Sequence, residues 1–144
     1  MIPDGSPVHG RGPVQQISFG RWVYPLDMRP EDIEIEDIAT SRSKLCRYTG
    51  HTIGTGIYSV AQHSVIVSRI VPDEHRLWGL LHDASEAFTG DISRPMKKCI
   101  RALMEGGEDC LEIIERNIQM VIAERFGLPW PMPSCIHEAD LVVA

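Results

Sequence analysis

Leu80–Lys98, LLHDASEAFTGDISRPMKK, is the stretch on which the reading of the chain turns. With the residues before it, the pattern predicts a helix over 74–88 (EHRLWGLLHDASEAF), stopped at Thr89-Gly90. A second helix is expected to start at Ser93-Arg94-Pro95, where a proline costs nothing because first-turn N–H groups lack a helical partner. Helical spacing puts Glu86 four residues after His82 and three after Asp83, so the three side chains share one surface. Trp78, Leu80, Leu81, Ala84, Ala87 and Phe88 surround them, which argues against a merely solvated face. Ionisable groups on a core-facing surface cost free energy unless something compensates them. A divalent cation is the simplest compensation, since it neutralises carboxylate and accepts an imidazole lone pair.

Upstream, Ser59 is placed to cap a helix whose apolar face includes Val60, Val67, Ile70 and Val71. His63 shares a face with Val67 and Ile70 and is expected to point inward; alone it reads as a core histidine held by a backbone carbonyl. Downstream, IHEADLVVA predicts a last helix with Asp140 among small and apolar residues. His63, His82, Asp83 and Asp140 together make a mixed nitrogen and oxygen donor set. Such a set suits Mn²⁺, Co²⁺, Fe²⁺, Ni²⁺, Zn²⁺ or Mg²⁺ and can leave positions open for water and a phosphate oxygen.

The rest of the chain reads as scaffold. Gly and Pro mark residues 1–16 as a flexible arm, and 17–144 as one domain. QQISFGRWVYPLD predicts a short hairpin or extended segment, and a helix is expected over roughly 35–48, with Ile38, Leu45 and Tyr48 on one face. TGHTIGTG lacks the spacing of a phosphate-binding loop and reads as a turn. LEIIERNIQMVIAERFG carries a stripe of Ile114, Ile118, Val121 and Phe126 that serves as bundle core or as a dimer face, so a homo-oligomer stays open. Trp22, Trp78 and Trp130 read as core or cover. The sum is an all-α bundle with a small extended N-terminal element.

Fourteen basic against twenty acidic residues give a net charge of −6, a poor match to a nucleic acid duplex. No apolar run long enough to span a membrane is present, and the N-terminus lacks the apolar stretch of a signal peptide. Cys46, Cys99, Cys110 and Cys135 show no paired spacing, so free thiols in a reducing cytoplasm are expected.

His63, the His82-Asp83 doublet and Asp140 resemble the H…HD…D signature of the HD-domain metal-dependent phosphohydrolases. The longer string HDASEAFTGDISRPMKK resembles bacterial HD-domain 5′-deoxynucleotidases and phage-type HD hydrolases, and DIEIEDIA, LCRYTGHT and YSVAQHS extend the likeness over about residues 17–143. The resemblance implies an HD-domain helical bundle in which His63, His82, Asp83 and Asp140 hold a divalent metal. It implies that Glu86 orients and deprotonates the attacking water, that Arg47 contacts the substrate phosphate, and that Asp91 serves the sugar and the catalytic site. Ile92, Ser93 and Arg94 would complete the pocket lining with Asp91. Where the deoxynucleotidases have tryptophan after the arginine, this chain has Tyr48, a smaller ring with a hydroxyl, which weakens the case for strict deoxyribose selection. Lys97 is a further candidate for a nucleotide phosphate, His51 for the pocket, and His137 for an alternative ligand.

The expected function is hydrolysis of a small-molecule nucleotide, foremost a (deoxy)nucleoside 5′-monophosphate to nucleoside and phosphate. A dNTP triphosphohydrolase of phage type, a cyclic-nucleotide phosphodiesterase and a noncatalytic metal-binding module are the alternatives. Only four residues follow Asp140, so a minimal or clipped bundle is expected.

Overall fold

A computed structural model of the chain describes residues 10–106 and 109–144. Most of the expected arm, together with His9, lies outside them. The chain is mostly helical, with a two-stranded antiparallel hairpin near the N-terminus. Its strands β1 (Gln15–Gln16) and β2 (Trp22–Val23) pair Gln15 with Val23 and Gln16 with Trp22. The arm residue Arg11 bonds to Asp27 and Asp32 and lies over the Tyr24 ring, so the chain contacts the body from there on. Arg21 pairs with the buried Asp37 and ties the hairpin to the first helix.

Helix α1 (Ile35–Lys44) is shorter than expected. Leu45 and Tyr48 do not extend it, because the backbone is already extended at Leu45 and at Cys46, which bridges to Ser59; the chain then turns through Arg47–Gly50, where Tyr48 and Thr49 take left-handed φ values of 55°. That conformation is uncommon for a residue with a Cβ. Helix α2 (Val60–Ile70) starts at the expected cap: Ser59 Oγ accepts from Gln62 N–H, and Gln62 Oε1 accepts from Ser59 N–H. Val60, His63, Val67 and Val71 are buried, but Ile70 is half exposed.

The helix expected over 74–88 is broken into α3 (Arg76–Leu81) and α4 (Glu86–Thr89), with a tight turn at residues 82–85 that carries the His82-Asp83 doublet. Helix α5 (Arg94–Leu103) begins at the expected Ser-Arg-Pro start. Asp109 caps α6 (Cys110–Arg125), accepting from Glu112 N–H at 3.0 Å, and α7 (Ser134–Val143) closes the chain. No described helix is long and apolar enough to cross a membrane. The four cysteines are free thiols.

Two apolar clusters hold these elements. One gathers Val23, Ile33, Ile38, Leu81, Ala84 and Phe88 against Ile118 and Ile122 of α6, so that stripe is core of the chain itself. The other packs Val67, Val71 and Trp78 against Ala123, Ile136 and Ala139. Helix α3 contributes Trp78 to one and Leu81 to the other, which places the following turn where the two meet. Trp78 also donates its indole N–H to Pro129 O at 2.9 Å.

Gly79 sets how closely α2 and α3 approach. A Cβ there would stand 2.8 Å from Ser68 Cα and 3.0 Å from Val71 Cγ2, and backbone cannot move aside as a flexible side chain can. Gly79→Ala is expected to lower stability by about 1–3 kcal/mol, the range for overpacking a dense core. Urea unfolding checks this, and a wild-type midpoint would show that the helices can separate at no cost.

Candidate metal centre and pocket

His63 comes from α2, His82 and Asp83 from the turn after α3, and Asp140 from α7. One ligand atom from each lies within 4.8 Å of all the others. His63 Nε2 is 2.8 Å from Asp140 Oδ1 and 3.8 Å from Asp83 Oδ2. His82 Nε2 is 2.9 Å from Asp83 Oδ2 and 3.7 Å from Asp140 Oδ1. Ligand atoms on a common ion with bonds of ~2.1 Å stand roughly 3–4 Å apart, so the four atoms have the spacing of a shared centre.

The hydrogen bonds of His82 support the same reading. Its Nδ1 lies 2.7 Å from Gly79 O, which can only accept, so Nδ1 carries a proton and the neutral ring presents a lone pair at Nε2. Nε2 is buried and makes no hydrogen bond, although Asp83 Oδ2 lies 2.9 Å away. A carbonyl behind a histidine with a carboxylate beside its free nitrogen is the usual support of a metal ligand. His63 is fully buried, edge-on to both the Tyr58 and His82 rings. The residues therefore fit a divalent cation, with two imidazoles and two carboxylates as donors.

Electrostatics couple the set tightly. Burial alone would push the His82 imidazole down, but the adjacent Asp140 and Asp83 carboxylates outweigh it and raise it to about 9. A proton and a cation thus compete for the same nitrogen. The hydrogen bond to His63, and then the nearby His82 imidazole, hold Asp140 far below the usual carboxylate range. Asp83 is penalised by burial yet lowered on balance by His82 and by the positive charge of Arg42.

Asp83 and Asp140 reach the surface in the wall of a cavity of about 330 Å³, while His63 and His82 sit behind it. The same wall carries Arg47, Tyr48, Glu86, Asp91, Ile92, Ser93, Arg94 and Lys97, so every expected catalytic or pocket residue except His51 borders one space. Glu86 belongs to α4 and is not among the four clustered ligands. Burial, then the charges of Asp83 and Asp91, push its carboxyl up to about 9. Asp91 is raised mainly by burial, against the opposing charge of Arg47. Arg94 reaches Asp140 Oδ2 at 3.2 Å, and Lys97 pairs with Glu115 at 2.8 Å. Arg47 forms no ion pair among the described residues; its guanidinium lies over the rings of Tyr48 and Tyr58, 5.0 and 5.7 Å from their centroids. His51 and His137 are exposed and stand outside both the cavity wall and the cluster.

The sequence reading missed the residues that support this site: Gly79, Tyr58, Arg42, Ser64 and Gln119. Polar residues interrupting an apolar face were the available signal, since Arg42 lies four residues after Ile38 and Gln119 lies three and four residues before Ile122 and Ala123.

No family model matches the chain. It is similar to two curated bacterial proteins. One is the uncharacterized protein YfdR of Escherichia coli, 38% identical over 124 residues, covering 86% of this chain and 64% of that protein. The other is an uncharacterized protein of Rhodobacter capsulatus, 37% identical over 132 residues, covering 87% of this chain and 64% of that protein. The chain thus spans just under two thirds of the length of these relatives.

Proposed function

We propose that the chain is a metal-dependent phosphohydrolase of the HD-domain kind, acting on a nucleotide, with (deoxy)nucleoside 5′-monophosphates as the leading substrate class. One observation carries the reading: the donor atoms of His63, His82, Asp83 and Asp140 converge at the wall of a cavity that also presents Glu86, Asp91 and Arg47. A protein that only bound a metal would have no need of a carboxyl and a guanidinium beside it. The cavity volume falls at the low end of the range for small-molecule sites.

Bound at the four ligands, a divalent cation supplies Lewis acidity toward a phosphoryl oxygen and toward the attacking water. The remaining work belongs to side chains of this chain. Arg47, lying over two rings and free of a carboxylate partner among the described residues, meets the phosphate and stabilises charge developing on its oxygens. Arg94 and Lys97 already pair with Asp140 and Glu115, so they shape the wall and contribute less positive charge to the cavity. Asp91, in the cavity wall, accepts a hydrogen bond from a sugar hydroxyl in this reading. Glu86 accepts the proton of the attacking water, and positive charge brought to the neighbouring carboxylates favours the ionised form that this role needs.

The test is a product screen of purified protein supplied separately with Mn²⁺, Co²⁺, Zn²⁺ and Mg²⁺, against nucleoside mono-, tri- and cyclic phosphates. Orthophosphate released from monophosphates is the expected result. Triphosphate released from a dNTP would move the substrate class, and a 5′- or 3′-monophosphate from a cyclic nucleotide would make the protein a phosphodiesterase. No phosphorus product with any metal would replace the enzyme with a metal-binding module.

A further inference from the structure

The turn that carries His82 and Asp83 departs from a helix in one specific way. A regular helix would bond Ala84 N–H to Leu80 O and Ser85 N–H to Leu81 O. Here Ala84 N–H bonds to Leu81 O instead, at 2.9 Å, and Glu86 N–H to Asp83 O at 3.0 Å. That leaves Leu80 O and the buried Ser85 N–H without helical partners, and an unpaired backbone group away from water is costly.

Two side chains from distant helices take them. The Gln119 amide of α6 enters the ladder: its Nε2 donates to Leu81 O at 2.7 Å, and its Oε1 accepts from Ser85 N–H at 3.1 Å. It therefore spans the doublet, gripping the residue before His82 and the residue two after Asp83. Insertion of a side chain into the helical ladder is a known cause of a helix break. Arg42 of α1 donates from Nη1 to Leu80 O at 2.8 Å and from Nη2 to Ser64 Oγ. Ser64 follows His63, and its hydroxyl donates to Val60 O at 3.0 Å. Arg42, Ser64 and Gln119 are 3%, 1% and 5% exposed, so these contacts are shielded from water.

We propose that Arg42 and Gln119 are positioning residues of the metal centre: Gln119 sets the spread of the His82-Asp83 turn, and Arg42 fixes that turn relative to His63. The inference rests on the reading of the four-residue cluster as a metal centre. A guanidinium is the group suited to the second task, because its fork reaches two acceptors on two helices at once. Neither residue lines the cavity that carries Glu86, Asp91 and Arg47; both act through the ligands, as outer-shell partners of metal sites do.

Co²⁺ binding tests this without reference to turnover. Wild type, Gln119→Met, Arg42→Met, Arg42→Lys and Ser64→Ala are titrated with Co²⁺ by calorimetry and by visible absorption, and circular dichroism of each metal-free protein reports its fold. Gln119→Met and Arg42→Met are expected to weaken Co²⁺ binding about 10–100-fold and to alter its visible bands. Arg42→Lys, which keeps one of the two bonds, falls between wild type and Arg42→Met. Ser64→Ala deletes a single hydroxyl, so it reads the Arg42 link even where Arg42→Met does not fold. Folded variants that bind Co²⁺ with the wild-type affinity and spectrum would overturn the proposal. A wild-type protein that binds no Co²⁺, Mn²⁺ or Zn²⁺ would instead remove the metal reading, an outcome visible before any variant is made.

Discussion

Asp140→Asn is expected to reduce divalent-metal affinity by more than about 100-fold, beyond the loss typical of an outer-shell partner, and to bring phosphate release down to background. The substitution keeps the side-chain shape and deletes one of the two negative charges in the cluster. Asp140 Oδ1 faces His63 at 2.8 Å, while Oδ2 faces Arg94 at 3.2 Å. A guanidinium can only donate, so the asparagine amide is expected to turn its oxygen toward Arg94 and its NH₂ toward the imidazole. A ligand atom is then replaced by a donor group. Calorimetric titration with Co²⁺ and Mn²⁺ measures the first effect and a phosphate assay the second. Affinity within a few-fold of wild type would show that Asp140 serves only as counter-ion to the histidines. The Arg94 contact is screened and exposed on the guanidinium side, so Arg94→Ala is the proper control and should leave metal affinity nearly unchanged.

The cluster was legible in sequence because its members break local patterns. His63 falls on an apolar helical face, and His82 and Asp83 stand inside an apolar run. Backbone angles at His82 and Ser85 stay in the right-handed helical region, so side-chain order through the turn survives although the hydrogen-bond ladder changes. That is why a reading based on helical spacing placed Glu86 near the doublet while missing the break. The break itself was not legible, because its cause is a glutamine 34 residues from Ser85 and an arginine 38 residues from Leu80. Periodicity reports which face of an element is apolar; it does not report which distant side chain captures a backbone carbonyl. The overlong α1 has a different origin. Tyr48 continues the apolar face on paper, but the backbone is already extended at Leu45 and Cys46, and the left-handed turn at Tyr48 and Thr49 follows with Arg47 and Tyr48 in the cavity wall. Backbone in that region is costly for residues with a Cβ and tends to occur where a side chain must be held at a functional surface.

Glu86→Gln is expected to lower turnover by about 10²–10⁴-fold, the usual contribution of a general base, while leaving Co²⁺ affinity close to wild type. The two parts separate because Glu86 lines the cavity without belonging to the ligand cluster. The same variant carries a stability signature of opposite sign. Burial and the charges of Asp83 and Asp91 raise the Glu86 carboxyl from 4.5 to about 9, so the metal-free folded protein holds its proton more tightly than the unfolded chain does. That contribution is fully present below the unfolded value and is lost as pH rises through the folded one. Metal-free protein in EDTA should therefore lose stability from this residue between about pH 4.5 and 9. Glutamine mimics the protonated acid and cannot ionise, so the variant should match wild type at pH 5 and exceed it at pH 9. Urea midpoints at the two values decide the point, and an equal gap at both would mean that Glu86 is ionised throughout. A wild-type rate in the variant would remove Glu86 as the base. Slow turnover together with intact metal binding and higher alkaline stability would match a carboxyl whose burial destabilises the fold and whose ionisation serves proton transfer.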